Sequence, residues 1–122
     1  MSSRILVADD NRDAAESLAV LLTLIDHEVL VVDDGSAAVE AAKHWEPDIA
    51  VLDLDMPVMN GFVAALALRA KHPRLALIAL SGHLDLANQL RAKAVGFNVC
   101  LLKGTSFAVL RTYIDTLTPS PT

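Results

Sequence analysis

Acidic, hydroxyl and amine side chains follow four of the short apolar runs in this sequence. Asp9 and Asp10 come directly after the first run, and Asp53 closes the third. Ser81 and Lys103 end the fourth and fifth runs. The three carboxylates and one ammonium carry a net charge of −2, which a divalent cation would neutralise, and oxygen ligands favour a hard ion such as Mg²⁺. A carboxylate in such a site can also act as a nucleophile toward a phosphoryl group.

The apolar runs have the length of β-strands, and segments with helical periodicity separate them. The pattern predicts strands at 5–8, 28–32, 48–54, 75–80 and 99–102, and helices at 14–25, 36–45, 62–71, 84–94 and 106–117. Five alternating strand–helix units predict an α/β fold, a doubly wound parallel sheet covered on both faces. Because parallel strands end at one edge of a sheet, we expect the side chains that follow them to meet there.

Composition narrows the class of protein. The chain has 122 residues, of which 53% are hydrophobic and 20% charged, so we expect one packed domain over 1–122 with its core at 4–117 and a tail at 118–122. A net charge of −5 argues against a nucleic-acid partner. No uncharged stretch approaches the roughly 20 residues of a membrane helix. We therefore expect a cytoplasmic protein without a membrane or nucleic-acid partner.

Three passages resemble the receiver domain of two-component response regulators, and the resemblance extends over essentially the whole chain. They are Ile-Leu-Val-Ala-Asp-Asp-Asn at 5–11, the passage 48–61, and Ala-Leu-Ser-Gly at 79–82 together with 96–103. Within the second passage, Asp-x-x-Met-Pro-x-Met-x-Gly at 53–61 is highly specific in this context. The resemblance implies a flavodoxin-like three-layer sandwich of five strands in the order 2-1-3-4-5 with five helices.

The resemblance also implies a role for each matching residue. Asp53 is the expected phosphoacceptor, and Ser81 and Lys103 are expected to bind the phosphoryl group. The implied cofactor is Mg²⁺, held by Asp9, Asp10, Asp53 and the backbone carbonyl of Asp55. Asp55 and His83 lie where the family tunes the rate of phosphate hydrolysis.

The implied partners are a histidine kinase or a histidine phosphotransfer protein, which donates phosphate from a histidine. A downstream effector would bind a switching surface formed by the fourth helix, fifth strand and fifth helix. The domain would catalyse its own phosphorylation and dephosphorylation without turning over small molecules. The passage 10–18 and Ser81-Gly82 are similar to receivers of hybrid histidine kinases, so both a stand-alone receiver and one cut from a larger protein stay open.

Two positions depart from the family pattern. Gly104 stands after the lysine, where the family usually has proline, and it gives the loop more conformational freedom. Cys100 stands three residues before the lysine, at the switch position where the family usually has Tyr or Phe. A thiol cannot swing between buried and exposed positions as a ring does, so we expect phosphate binding to persist and its transmission to change.

These departures keep other functions open. The first alternative is a receiver-like protein-binding module that never carries phosphate. The second is a phosphatase of the haloacid dehalogenase type, because Asp53-Leu54-Asp55 is an Asp-x-Asp motif at a strand end. That family places its motif on the first strand of a longer chain, which disfavours the second alternative.

Overall fold

The computed structural model describes residues 2–119, in which five parallel strands alternate with five helices. The strands pair in the order β2-β1-β3-β4-β5. This confirms the predicted doubly wound α/β fold. Of the predicted tail, residues 120–122 lie outside the described residues. The elements are β1 (Arg4–Ala8), α1 (Arg12–Leu24), β2 (Glu28–Val32), α2 (Gly35–Trp45), β3 (Ile49–Asp53), α3 (Gly61–Lys71), β4 (Ala76–Ser81), α4 (Leu86–Val95), β5 (Val99–Leu102) and α5 (Phe107–Leu117).

Alternate residues of the strands pack into two separate apolar cores, one on each face of the sheet. On the first face, Leu6, Leu52 and Leu77 pack with residues of α2, α3 and α4. On the second, Val7 and Ile78 pack with residues of α1 and α5. Three layers follow, and all three middle strands are buried on both sides, which accounts for their continuous apolar sequences.

Each helix begins after a side chain that accepts a hydrogen bond from the backbone of its first turn, which satisfies one otherwise unpaired N–H group. The capping residues are Asn11, Asp34, Asn60, Asp85 and Ser106. The cap also explains a boundary that the sequence analysis placed wrongly. The fourth helix begins at Leu86 and not at 84, because Asp85 Oδ1 accepts the Asn88 N–H at 2.8 Å.

Helix α1 is less buried than its apolar sequence indicates. Leu22 and Ala15 are buried, whereas Ala14 is exposed and Leu21 is 41% exposed. Only α5 shares this face of the sheet, so a narrow strip of α1 contacts the strands. Within residues 2–119, no helix has the length and hydropathy needed to cross a membrane.

Candidate functional site

Strand register brings the candidate residues to one edge of the sheet. Ala8 lies beside Leu52 in the β1–β3 pairing, so Asp9 emerges next to Asp53. Ser81 lies beside Leu102 in the β4–β5 pairing, so Lys103 follows immediately at the same edge. The structure therefore brings the carboxyl ends of four neighbouring strands, β1, β3, β4 and β5, to one edge of the sheet.

Asp53 occupies the centre of this edge, and its side chain has no exposed surface. Its Oδ1 accepts the Asp55 backbone N–H at 2.9 Å, and its Oδ2 accepts a hydrogen bond from Lys103 Nζ at 2.8 Å. A buried carboxylate is tolerated when it is paired and hydrogen-bonded, and both conditions are met here. The Asp55 amide is a contact that the sequence analysis did not anticipate.

Asp9 and Asp10 surround Asp53 with further negative charge. One carboxylate oxygen from each of the three residues lies within 4.8 Å of the other two. Asp9 is buried and Asp10 is exposed. Burial raises the pKa of the Asp9 carboxyl, the Asn11 amide that donates to it acts in the opposite direction, and the charge of Asp53 raises the pKa further. Like charges are thus held close together with a single cation to compensate them.

That cation is Lys103, whose Nζ lies 2.8 Å from Asp53 Oδ2 and 3.8 Å from Asp9 Oδ1. Burial alone would lower the pKa of the Lys103 ammonium. The hydrogen bond and charge of Asp53, together with the charges of Asp9 and Asp10, outweigh burial, and the pKa of Lys103 is raised. The lysine is therefore fully charged, and the backbone also helps to hold it, since its N–H donates to the Ser81 carbonyl at 2.7 Å.

Ser81 lies at the same edge of the sheet as Asp53, but its hydroxyl forms hydrogen bonds with the backbone of His83. The residue is buried, and its Oγ donates to the His83 carbonyl oxygen at 2.7 Å and accepts the His83 N–H at 3.1 Å. The His83 side chain is 81% exposed, and its Nε2 lies 3.4 Å from Asp85 Oδ2. The imidazole therefore contacts the carboxylate of Asp85, the residue that caps the start of α4.

The loop from Asp55 to Asn60 connects β3 to α3, and the Met59 carbonyl oxygen accepts the Gly35 N–H of α2 at 3.1 Å. A Cβ on Gly61 would lie 2.5 Å from the Asp53 carbonyl oxygen, so only glycine allows α3 to start this close to β3. Val58 adopts a φ of 67° and is 87% exposed. A β-branched residue is rarely found in this left-handed region, so the loop beside the candidate phosphoacceptor is strained.

The two departures from the family pattern lie at different places. Cys100 is partly buried on the α4 face of the sheet, beside a cavity of about 320 Å³ that Ala92 of α4 and Phe97 also line. Burial raises the pKa of its thiol. Gly104 adopts a φ of 90° with open space around its Cα, and so permits a left-handed turn immediately after Lys103.

A second polar contact, made by Asn88 of α4, was also not predicted from the sequence. Asn88 Nδ2 donates to the His83 carbonyl oxygen at 3.0 Å, the oxygen that the Ser81 hydroxyl also contacts. Asn88 lies on the first turn of α4, in a pattern that carries no chemical motif. The only available signal was the three-residue spacing from Asp85, which predicts a capped helix start and not this contact.

The acidic cluster could hold a metal ion, and the donor set supports this. All ligand atoms offered are carboxylate oxygens, and three carboxylates face one ammonium. A divalent cation would remove the remaining excess of negative charge.

Comparison with known sequences relates this chain to a family of signalling proteins. The family model described as "Response regulator receiver domain" matches residues 5–115. The transcriptional regulatory protein PrrA of Mycobacterium tuberculosis is 34% identical over 102 residues, which are 84% of this chain and 44% of PrrA. The DNA-binding response regulator MtrA of Mycolicibacterium smegmatis is 41% identical over 70 residues, which are 57% of this chain and 31% of MtrA. The chain thus spans less than half the length of these relatives.

Solved structures give the same result. The signal receiver domain of NarL from Mycobacterium tuberculosis superposes with a TM-score of 0.87 at 30% identity, covering 95% of this chain and 96% of that one. The chemotaxis protein CheY4 of Vibrio cholerae has a TM-score of 0.91 at 23% identity over 97% and 100% of the two chains, which shows a shared fold. On these matches, the chain belongs to the response regulator receiver domain family of two-component signalling.

Proposed function

We propose that this receiver domain accepts a phosphoryl group on Asp53 from a histidine of a partner protein. The observation that carries the proposal is the fully buried Asp53 carboxylate, held 2.8 Å from Lys103 beside two further carboxylates. An ordinary structural aspartate at a strand end would be solvated. Here the acid is shielded, paired and surrounded by the groups that a phosphoryl transfer needs.

In the transfer step, an Asp53 carboxylate oxygen attacks the phosphorus of phosphohistidine. A P–O bond forms as the P–N bond breaks, and the bonding electrons leave with the imidazole nitrogen, which then takes up a proton. Lys103, whose Nζ lies 2.8 Å from Asp53 Oδ2, would balance the negative charge on the transferred oxygens. Water later attacks the same phosphorus, which releases inorganic phosphate and restores the Asp53 carboxylate. Asp55 and His83 are the residues we assign to tuning that second step.

Mg²⁺ is the cofactor we assign to the acidic cluster, with Asp9, Asp10, Asp53 and the Asp55 carbonyl as the groups that would hold it. When bound, Mg²⁺ supplies positive charge that offsets the repulsion between the phosphoryl group and the carboxylates. Burial raises the pKa of the Asp9 carboxyl and the charge of Asp53 raises it further, so a bound cation would favour the ionised form of this carboxyl.

Phosphorylation would then alter the α4–β5–α5 surface. The phosphoryl group adds about −1.5 to −2 charge next to Lys103 and Ser81, and the Ser81 hydroxyl would turn toward it. Cys100 offers no ring to move with Ser81, so we expect a partial shift of this surface and not a complete conversion. Complete switching would need about 5.5 kcal/mol of differential stabilisation.

The donor we assign is a histidine kinase or histidine phosphotransfer protein, as the family implies. The relatives PrrA and MtrA are described as a transcriptional regulator and a DNA-binding response regulator, and both are longer than this chain. An output through DNA binding by a linked or separate effector is therefore one candidate route. A receiver inside a hybrid histidine kinase remains the other prediction from the sequence.

The test is intact-protein mass spectrometry after incubation with acetyl phosphate, with and without Mg²⁺. We expect a Mg²⁺-dependent phosphoryl adduct on the wild type that is absent from Asp53→Asn. Asp115→Asn, which removes an exposed carboxylate on α5, is the matched control and should retain the adduct. No adduct on the wild type would contradict the proposal and favour the phosphate-independent binding module.

A further inference from the structure

The loop between β4 and α4 is held from two sides through one carbonyl group. The His83 carbonyl oxygen accepts a hydrogen bond from Ser81 Oγ at 2.7 Å and a second from Asn88 Nδ2 at 3.0 Å. Ser81 is the last residue of β4, and Asn88 lies in the first turn of α4. The carbonyl therefore links the strand that faces the phosphoacceptor to the helix of the switching surface.

Phosphorylation would break one side of this link, an argument that rests on the proposed function. To donate a hydrogen bond to a phosphoryl oxygen on Asp53, the Ser81 hydroxyl must give up the bond that it donates to the His83 carbonyl oxygen, because a hydroxyl has only one proton. The His83 carbonyl then retains Asn88 as its donor. The carbonyl consequently stays attached to α4 after the Ser81 hydroxyl has released it.

Helix α4 is held to its neighbours by Ala92 and by Arg91, whose guanidinium carbon lies 4.0 Å from the centroid of the Phe62 ring of α3. Among the residues of α4, Ala92 alone is buried, so the helix rests lightly on the sheet. Cys100 borders the open cavity of about 320 Å³ that Ala92 and Lys93 of α4 also line, and its thiol does not fill this cavity as a ring would. A small displacement of the loop can therefore move the start of α4 without a large loss of apolar packing.

We propose that Asn88 is a positioning residue that carries the state of Ser81 to α4 through the His83 carbonyl. We name these three groups the Ser81–His83–Asn88 relay. It offers a route from the phosphoryl group to the switching surface that does not use the residue at position 100.

The experiment is a beryllofluoride titration in the presence of Mg²⁺, followed by backbone amide NMR. Beryllofluoride serves as the probe because it mimics a phosphoryl group on an aspartate. Asn88→Asp keeps the size and the helix-start character of the side chain but removes the donor N–H, and Asn88→Ala removes the side chain. Gln89→Ala is the matched control, because Gln89 Nε2 contacts the same loop at the Leu84 carbonyl, at 3.2 Å, without reaching His83.

We expect signals around Asp53 and along α4 to shift together in the wild type and in Gln89→Ala. In both Asn88 variants, the shifts around Asp53 should persist while those of α4 are lost. A purely structural role for Asn88 would leave the α4 response intact in any variant that folds, and that result would overturn the relay. Absence of any shift around Asp53 in the wild type would instead overturn the proposed function, and the relay with it.

Discussion

Lys103 Nζ lies 2.8 Å from Asp53 Oδ2, and this contact joins the end of β5 to the one fully buried carboxylate of the site. Lys103 itself remains 36% exposed at its side chain. The pair is thus reachable from solvent on the lysine side and closed on the aspartate side.

Lys103→Ala should leave the Asp53 carboxylate buried without a cation. We expect a loss of about 1–3 kcal/mol in the free energy of unfolding, below the full cost of a broken buried pair because solvent can reach the lysine end. Phosphorylation by acetyl phosphate should slow sharply. Urea unfolding of Lys103→Ala, Asp53→Asn and the double variant measures the coupling. If the lysine change costs as much in the Asp53→Asn background as in the wild type, the pair does not stabilise the fold.

Asp10→Asn should relieve repulsion within the acidic cluster and weaken cation binding. Without divalent ions, we expect the free energy of unfolding to rise by about 0.5 kcal/mol. With Mg²⁺ at ten times its Kd, the wild type should gain about 1.4 kcal/mol, and most of that gain should vanish in the variant. Thermal unfolding with and without Mg²⁺ measures both effects. Asp13→Asn, an exposed acid in α1, should retain the Mg²⁺ response, and an equal loss there would argue against a local site.

Val58→Asn should stabilise the protein, since asparagine tolerates the left-handed conformation that Val58 adopts at a φ of 67°. Val58 is 87% exposed, so little apolar burial is lost. We expect a gain of about 1 kcal/mol in the free energy of unfolding. The same change at Val20, which is 59% exposed within α1, should not stabilise. Urea midpoints that fall in both variants would show that the loop is not strained at Val58.

His27→Gln should remove a pH-dependent component of stability. The Ser3 N–H donates to His27 Nδ1 at 3.0 Å, and burial lowers the pKa of His27 from 6.5, although Asp115 and Asp26 partly oppose the shift. As pH falls below 6.5, the unfolded chain binds a proton before the folded protein does, so stability decreases until the lowered folded pKa is reached. Urea midpoints above and below pH 6.5 should diverge more in the wild type than in the variant. If the urea midpoints change equally with pH in the wild type and in His27→Gln, then His27 is not the neutral, buried group that makes stability depend on pH.

The chemistry of the site could be predicted from the sequence because it depends on strand order. Asp9, Asp53 and Lys103 directly follow or end short apolar strands, and a parallel sheet brings such positions to one edge. The relay could not be predicted in this way. The contact between Asn88 and the His83 carbonyl depends on the path of the loop between β4 and α4, and the exposure of Leu21 depends on how α1 crosses the sheet. No periodicity or motif in the sequence indicates either the Asn88–His83 contact or the exposure of Leu21.

Asp53, and no neighbouring carboxylate, is the proposed site of phosphorylation. The most direct test is borohydride reduction of the protein after reaction with acetyl phosphate and Mg²⁺, followed by peptide mapping. An acyl phosphate is reduced to an alcohol, so we expect a homoserine at position 53 and unmodified Asp9, Asp10 and Asp55. Reduction at one of those three residues, with Asp53 unchanged, would show that Asp53 is not the phosphoacceptor.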